Sequence, residues 1–393
     1  MPRLLLEIGT EEIPPAWLPP AMEQLVEAAG QRMDAERIAH GSLKAYATPR
    51  RIALIGEEVA EHQAPAVREV RGPAAKAAFD AQNRPTRAAE GFARSQGVEV
   101  SALEVRDTNQ GQYVFAVIRD EGRETVKVMG EILPDLIKSL SFPKSMRWGR
   151  GTLRFARPIR WLVALLGDRA ISFELDGLRA GRRTRGHVFL SRGMLTLANA
   201  DAYESLLEER FVLVDPDRRL ATLRAELHRT AEQQGGRVVD DGTLIRETSF
   251  NVEFPTALVG SFHEDFLALP RQILIQAMRK VQEQFPIEDA DGRLLPKFIA
   301  VRDGDRAHLD IVREGNERVL RARLIDAQFF YERDRQTPLA DRVDSLREVI
   351  WQEGLGTVHD KVGRIRGLAA DIAGDLNLDE PTREHVDRAA QLC

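Results

Sequence analysis

The sequence contains one cysteine in 393 residues, Cys393. An intrachain disulfide needs two thiols, and a cysteine-built metal centre needs more than one, so both are excluded. A single thiol suits a reducing compartment, and no basic-then-apolar leader precedes Leu4, so a cytoplasmic protein is expected. Long apolar runs are also missing. The run WLVALLG at 161–167 is far below the roughly 20 residues that span a bilayer, and no membrane partner is expected. Nucleotide and nucleophile motifs are absent as well. There is no Gly-x-x-x-x-Gly-Lys-Ser/Thr loop, no Gly-x-Gly-x-x-Gly turn and no Gly-x-Ser-x-Gly elbow. Gly149-Arg150-Gly151 lacks a third glycine and a preceding strand, so it reads as a turn. With this inventory no catalytic residue is assigned, and the chain reads as a binding or scaffolding protein.

Acidic residues are absent from one long stretch. Between Leu136 and Gly167 there is no Asp or Glu, although the whole chain carries a net charge of -5. The same stretch holds Lys138, Lys144, Arg147, Arg150, Arg154, Arg157 and Arg160, with Trp148, Phe155 and Trp161 among them. Arg179, Arg182, Arg183, Arg185 and His187 follow. Guanidinium groups grip phosphates in a bidentate way and aromatic rings stack on bases. An RNA-facing surface is therefore one reading; arginines paired with distant acids around an aromatic core is the other. The candidate RNA-binding residues are Lys144, Arg147, Arg150, Arg154, Arg157, Arg160, Arg182, Arg183 and Arg185.

Two other clusters invite chemistry. Glu7, Glu11 and Glu12 fall within six residues, but a carboxylate site needs convergence within a few ångströms. Glu7 is placed in a strand and the other two in a turn, where they suit the positive end of a following helix. His359-Asp360 resembles half of a metal-hydrolase site, with His385 and Asp387 the only later residues of the right kind. The apolar period Leu355, Val358, Val362, Ile365 and Leu368 puts His359 beside the buried stripe, so no metal site is assigned.

The periodicities alternate irregularly between helix and strand, which predicts a multi-domain α+β chain with mixed sheets and packed helices. Strands are expected at 4–8, 46–59, 113–118, 160–166, 170–175, 188–190, 256–259, 298–301 and 309–312. A turn is expected at Gly9-Thr10. Helices are expected at 15–33, and as two short pieces within 73–96 broken near Pro85. Others are expected at 126–140 with a bend or break near Pro134, at 203–234 with an interruption at Asp215-Pro216, at 273–284 and at 318–335. A further helical stretch runs from 346 to the end, with a break at 354–356. Residues 1–200 form an N-terminal α+β region with the basic tract, 201–338 a second α+β region, and 339–393 the start of a helical domain. The last helix carries no cap, so the chain is expected to be a piece of something longer.

Several stretches carry a resemblance. They are LLLEIGTEEIPP at 4–15, TPRRIAL at 48–54, RGPAAKAAFD at 71–80, PTRAAEGFAR at 85–94, PKSMRWG at 143–149 and FARPIRWLVALLG at 155–167. RTRGHVF at 183–189, FHEDFLALP at 262–270, DGRLLPKFI at 291–299, GNERVLRARLIDAQFF at 315–330 and GLGTVHDKVGRI at 354–365 continue the series. In this order over nearly the whole chain they resemble the beta subunit of the bacterial heterotetrameric glycyl-tRNA synthetase family.

The resemblance implies an α2β2 enzyme that joins glycine to tRNA(Gly) with ATP and magnesium. It implies that ATP and Mg2+ are used on the separate alpha subunit, that this chain binds neither, and that its partners are the alpha subunit and tRNA(Gly). It further implies an N-terminal fold like the editing-type domain of the phenylalanyl-tRNA synthetase beta subunit, then a His-Asp-like helical domain. The chain departs from the family at MRKVQEQFP (278–286), where Val281 stands for a histidine and Gln284 for a tyrosine, and at VRDGD (301–305). The alternatives are a stand-alone tRNA- or nucleic-acid-binding module and a vestigial editing-type hydrolase.

Overall fold

The computed structural model describes residues 1–80 and 82–393, with the Val281 side chain outside the description. The fold is α+β, with several small sheets and helices packed on them. Two compact units are built: residues 1–232, 240–258 and 301–309 form the first, and 233–239, 259–300 and 310–393 the second.

The first unit is organised by a five-stranded sheet. Its strands are β1 (Leu4–Thr10), β2 (Leu43–Thr48), β3 (Arg51–Gly56), and, later in the chain, Ile159–Leu166 and Arg169–Ala170. The order is β2-β3-β1, then Ile159–Leu166, then Arg169–Ala170, and every pairing is antiparallel. All of β1 is buried because both faces are covered. Side chains alternate across a strand, so Leu4, Leu6 and Ile8 face one core while Leu5 and Glu7 face the other. The first core is closed by α1 (Leu18–Ala35) through Leu18, Ala21, Leu25, Ala29 and Met33. The second receives Ala53, Ile55, Trp161 and Val163 from the sheet and Leu197, Tyr203, Leu207 and Val212 from the chain that follows. A fully buried side chain of this kind contributes about 1.5–3 kcal/mol, so two such layers fix the sheet firmly.

Between β3 and Ile159–Leu166 the chain adds a smaller layer. It comprises β4 (Ala66–Ala74), α2 (Ala75–Ala78), α3 (Arg87–Gln96), β5 (Leu103–Thr108) and β6 (Gly111–Asp120), with sheet order β4-β6-β5. Then α4 (Thr125–Ser139) returns to the first core through Val128, Met129, Leu133, Leu136 and Ile137. The strand at Ile159–Leu166 is β7, and the strand at Arg169–Ala170 is β8.

The second unit carries most of a four-stranded sheet, ordered Arg237–Val238, Phe285–Glu288, Leu294–Asp303 and Pro255–Ser261, with the helix Arg271–Gln282 and nearly all of the helix Leu309–Gln336. It ends in a helix pair, Val358–Asp375 and Glu380–Leu392.

Several expectations change. The strand expected at 46–59 is a hairpin, β2 and β3 joined through Pro49-Arg50, because Thr48 pairs directly with Arg51. Gly9 and Thr10 belong to β1 and not to a turn. The strand expected at 309–312 is the first turn of a 28-residue helix; four apolar-polar residues cannot distinguish the two periods. Residues 188–190 form turns, not a strand, and 350–352 form a strand inside the stretch expected to be helical. Both β4 and β5 were hidden by their exposed, charged faces. Pro134 lies inside α4 without ending it. The five buried apolar residues of that helix outweigh the single missing backbone donor.

Candidate nucleic-acid interface

The open end of the sheet is where β1 finishes, β3 begins and β7 begins. Arg51, Gly9 and Trp161 sit side by side there, in register across the three strands. Gly9 carries no side chain, and the Trp161 ring lies over it: a Cβ built on Gly9 would be 1.9 Å from Trp161 Cε2. The indole thereby reaches toward β3, with the Arg51 guanidinium 5.6 Å from its ring centroid.

Beneath this row is a buried charge cluster. Arg51 Nη1 donates to Glu7 Oε1 at 3.0 Å, and Arg51 Nη2 lies 3.2 Å from Glu253 Oε1; the Arg51 side chain is 1% exposed and both acids are fully buried. Thr48 Oγ1 donates to Glu253 Oε1 at 2.7 Å, and Arg51 Nη1 also donates to Arg185 O at 2.7 Å. Burial pushes the Glu7 carboxyl above its ordinary value, against the opposing pull of Arg51 and of donors on Thr184, Trp161 and Tyr203. Those three donors surround the carboxylate, none in strict hydrogen-bond geometry. Burial alone would lower the Arg51 pKa, but Glu253 and Glu7 together outweigh it and raise it. Arg219 lies buried in the same unit and spends its donors on the carbonyls of Ser249, Leu213, Val214 and Ala47. Burial brings its pKa down to about 10, so it stays charged at neutral pH.

Above the cluster opens a pocket of about 320 Å³. Five arginines line it, Arg50, Arg51, Arg160, Arg185 and Arg192, against one acid, Glu11. Glu11 pairs with Arg160 at 3.2 Å, and Glu12 pairs with Arg50. Arg185 and Arg192 meet no carboxylate among the described residues. Arg185 is held instead by Met194 Sδ, 3.1 Å from its Nε, and by the Trp161 ring. With that excess of guanidinium groups the pocket suits an anion and not a magnesium ion, which takes carboxylates and water.

One wall is the loop 185–193. His187, buried to 1%, organises it: its Nδ1 accepts from Phe189 N at 3.3 Å and Leu190 N at 3.4 Å, and its Nε2 stands 3.3 Å from Asp303 Oδ1. Asp303 also accepts from the backbone N–H groups of Glu253 and Phe254. The same residues therefore brace the buried cluster and the loop.

The basic residues singled out from sequence divide into distinct settings. Met146 and Phe155 exchange backbone hydrogen bonds at 2.9 and 3.2 Å and close the loop 147–154. Arg147, Arg150 and Arg154 are exposed on that loop, and Lys144 is exposed just before it. Arg154 donates to Ser145 Oγ. The neighbouring ion pairs are Lys138–Asp135 and Arg160–Glu11; between them no carboxylate of the described residues pairs with these four cations. Arg160 and Arg185 come together in the pocket, and Arg183 is exposed beside them in sequence. Arg157 folds onto its neighbour's carbonyl and over Trp17. Arg182 is taken up by the carbonyls of Leu197, Ala198 and Asp168.

The aromatic residues of the tract are core. Phe155 is buried edge-on against Phe142 at 4.9 Å, Trp161 is 8% exposed, and Trp148 packs on the first core. Neither Phe155 nor Trp161 offers a free face for a base, and Trp148 is half-buried. The exposed ring in this region is Phe189, at 78%. Sequence reasoning passed over Phe189, Arg50, Arg51, Arg192 and Glu253. The available signal was the pair Arg50-Arg51 directly before the apolar run 52–55, which sets one of two arginines into the buried face of a strand.

The other clusters resolve into structural roles. The Asp360 carboxylate accepts from Thr357 N while Asp360 N donates to Thr357 Oγ1, forming a capping box, and Asp387 pairs with Arg366 at 2.7 Å. Among the described residues, no group of three or more His, Cys, Asp or Glu is placed to hold a metal ion. Among them, too, no helix is long and apolar enough to cross a membrane.

Comparison with known proteins places the chain. The curated glycine–tRNA ligase beta subunits of Desulforamulus reducens and Moorella thermoacetica are each 47% identical to it, over 388 and 389 residues. That of Desulforudis audaxviator is 46% identical over 389 residues. Each alignment covers 99% of this chain and 56% of the relative, so the chain spans little more than half the length of the relatives it matches. A family model described as glycyl-tRNA synthetase beta subunit matches residues 4–393, and the chain belongs to that family.

Proposed function

We infer that this chain is the tRNA-binding and subunit-assembly part of a glycine–tRNA ligase beta subunit, and that it carries no aminoacylation site of its own. In this reading glycine is attached to tRNA(Gly) on an alpha subunit, which uses ATP and Mg2+, within an α2β2 enzyme. The carrying observation is the loop 147–154 with Lys144: four exposed cations without an ion pair among the described residues, on a chain of the beta-subunit family. Unpaired cations on a slightly acidic protein are available to phosphates. Arg160, Arg183 and Arg185 extend the same surface, whereas Arg157 and Arg182 support it from within. The first unit is read as an editing-type fold. A sieve against larger amino acids has little physical use when the cognate one is glycine, so the fold serves here for binding. The pair Val358–Asp375 and Glu380–Leu392 is read as the start of the His-Asp-like helical domain.

The test is glycylation and tRNA(Gly) binding by the complex of the beta subunit with its alpha subunit. Replacing Lys144, Arg147, Arg150 and Arg154 together by Ala should weaken binding and flatten its salt dependence. The slope should fall by about 0.7–0.9 of a log-log unit for each phosphate that the variant leaves without a cation. Unchanged affinity and slope would remove the loop from the RNA surface.

A further inference from the structure

We propose that the arginine pocket at the end of β1 binds a phosphodiester of an unpaired RNA strand, with the adjacent base stacked on Phe189. The proposal rests on the RNA-binding reading above and adds a place and a strand type to it.

Charge argues for the anion. Five guanidinium groups line the pocket; Arg50, Arg51 and Arg160 are paired with Glu12, with Glu7 and Glu253, and with Glu11, whereas Arg185 and Arg192 meet no acid among the described residues and carry the excess charge. Arg51 at the floor is 1% exposed and locked from behind by Glu7 and Glu253, so one wall of the site is fixed before any ligand arrives. Arg185 is likewise held by Met194 Sδ, with its guanidinium 5.6 Å from the Trp161 ring centroid. Preorganised donors lose little freedom on binding.

Shape argues for a single strand. The pocket, at about 320 Å³, admits one phosphate with its sugar and not a duplex. Gly186, Val188 and Ser191 of the wall belong to the same loop as Phe189, whose ring stands out at 78% exposure. An exposed phenylalanine normally costs solvation, and here it is carried on a loop that His187 fixes through two backbone N–H groups. An exposed aromatic on a fixed loop beside a cationic groove is the arrangement that grips unstacked bases, which paired RNA does not present.

The experiment measures binding of a 5′-fluorescein tetraribonucleotide and of a blunt 12-base-pair RNA duplex by anisotropy, and of tRNA(Gly) by mobility shift. Wild type is compared with Phe189→Ala, with Arg185→Ala/Arg192→Ala, and with the four-fold Ala variant of the 144–154 loop. All replaced side chains are exposed, and thermal melting checks that each variant folds. The expected result is tetranucleotide binding that falls about tenfold or more in Phe189→Ala, the range for loss of one base–aromatic stack. The double arginine variant should fall at least as far, and the 144–154 variant much less. Equal binding by wild type and both pocket variants overturns the proposal. So does inorganic phosphate competing as well as the oligonucleotide while Phe189→Ala has no effect, which would mark a free-phosphate site. If tRNA binds wild type and pocket variants alike but fails with the 144–154 variant, the pocket proposal falls and the broader reading stands. If the pocket binds the tetranucleotide but tRNA is not bound at all, the broader reading falls and the pocket stands.

Discussion

Trp161 occupies the space that a side chain on Gly9 would need. A Cβ at that position would lie 1.9 Å from Trp161 Cε2, far inside van der Waals contact. Gly9 is not among the residues with positive φ, so its requirement is one of approach and not of backbone conformation. Replacement by Ala forces the indole out of the second core, and replacement by Val does so more strongly. Overpacking of this kind costs about 1–3 kcal/mol, and Gly9→Val should reach the upper end. Thermal melting of Gly9→Ala, Trp161→Leu and the double variant checks it. The double variant should lose less than the two singles combined, because the clash needs both groups. Strictly additive losses would show that the clash is not the cause.

Arg51 is the only cation that the buried carboxylates of Glu7 and Glu253 touch among the described residues. Arg51→Met leaves two acids in an apolar interior, and breaking a buried pair from one side costs about 3–5 kcal/mol. Denaturant unfolding should show a loss of that size or a failure to fold. Arg51→Lys should recover only part of it, since an ammonium cannot serve both acids and the Arg185 carbonyl in one plane. A variant as stable as wild type would mean that the cluster relaxes freely.

Glu7 sets a pH dependence. Burial raises its folded-state pKa above the ordinary value of 4.5. A raised acid contributes stability that is fully present below 4.5 and is lost as pH climbs through the folded value. Glu7→Gln removes that titration and leaves Arg51 paired with Glu253. The stability difference between variant and wild type should therefore move in favour of the variant as pH rises from 4.5 toward neutrality. Unfolding curves that stay parallel across that range would contradict the assigned direction.

The parts of the fold that were legible from sequence are those with local causes. The apolar runs at 4–8 and 160–166, the helix at 203–234 with its interruption at Asp215-Pro216, and the two short helices around Pro85 are readable from periodicity and turn residues. The buried cluster is not local: Arg51 meets Glu253 across 202 positions of sequence and Glu7 across 44. Nothing near Glu7 marks it as the buried member of three glutamates. The strand period makes Glu7 face a sheet side, and only the later packing of Tyr203 and Leu207 makes that side an interior. The basic tract was visible as composition. Its division into exposed loop, pocket wall and internal brace depends on which carbonyls and rings come near each arginine.

Arg182 and Arg147 illustrate that division and should respond oppositely. Arg182 donates to three backbone carbonyls, at 2.9, 3.1 and 3.3 Å. Arg182→Ala leaves those acceptors short and should lower stability by about 1–3 kcal/mol with little change in RNA affinity of the folded protein. Arg147→Ala removes an exposed cation and should leave stability within about 0.5 kcal/mol while weakening tRNA binding. Paired measurements of melting temperature and tRNA affinity separate the two. Reversal of either pattern would reassign that residue.

Glu11 is the single acid in the arginine pocket, and its carboxylate is spent on Arg160 at 3.2 Å. Both partners are about half exposed, so the pair adds at most about 1 kcal/mol to stability and its loss should scarcely move the melting temperature. Its effect on binding has the opposite sign from that of a catalytic acid. Glu11→Gln frees Arg160 and raises the pocket's charge by one, so affinity for a short single-stranded RNA should rise a few-fold. The gain should be largest at low salt, because it comes from a screened charge–charge attraction. Glycylation by the assembled enzyme should persist. A folded Glu11→Gln protein that binds RNA as before but loses turnover would instead return Glu11 to the chemistry.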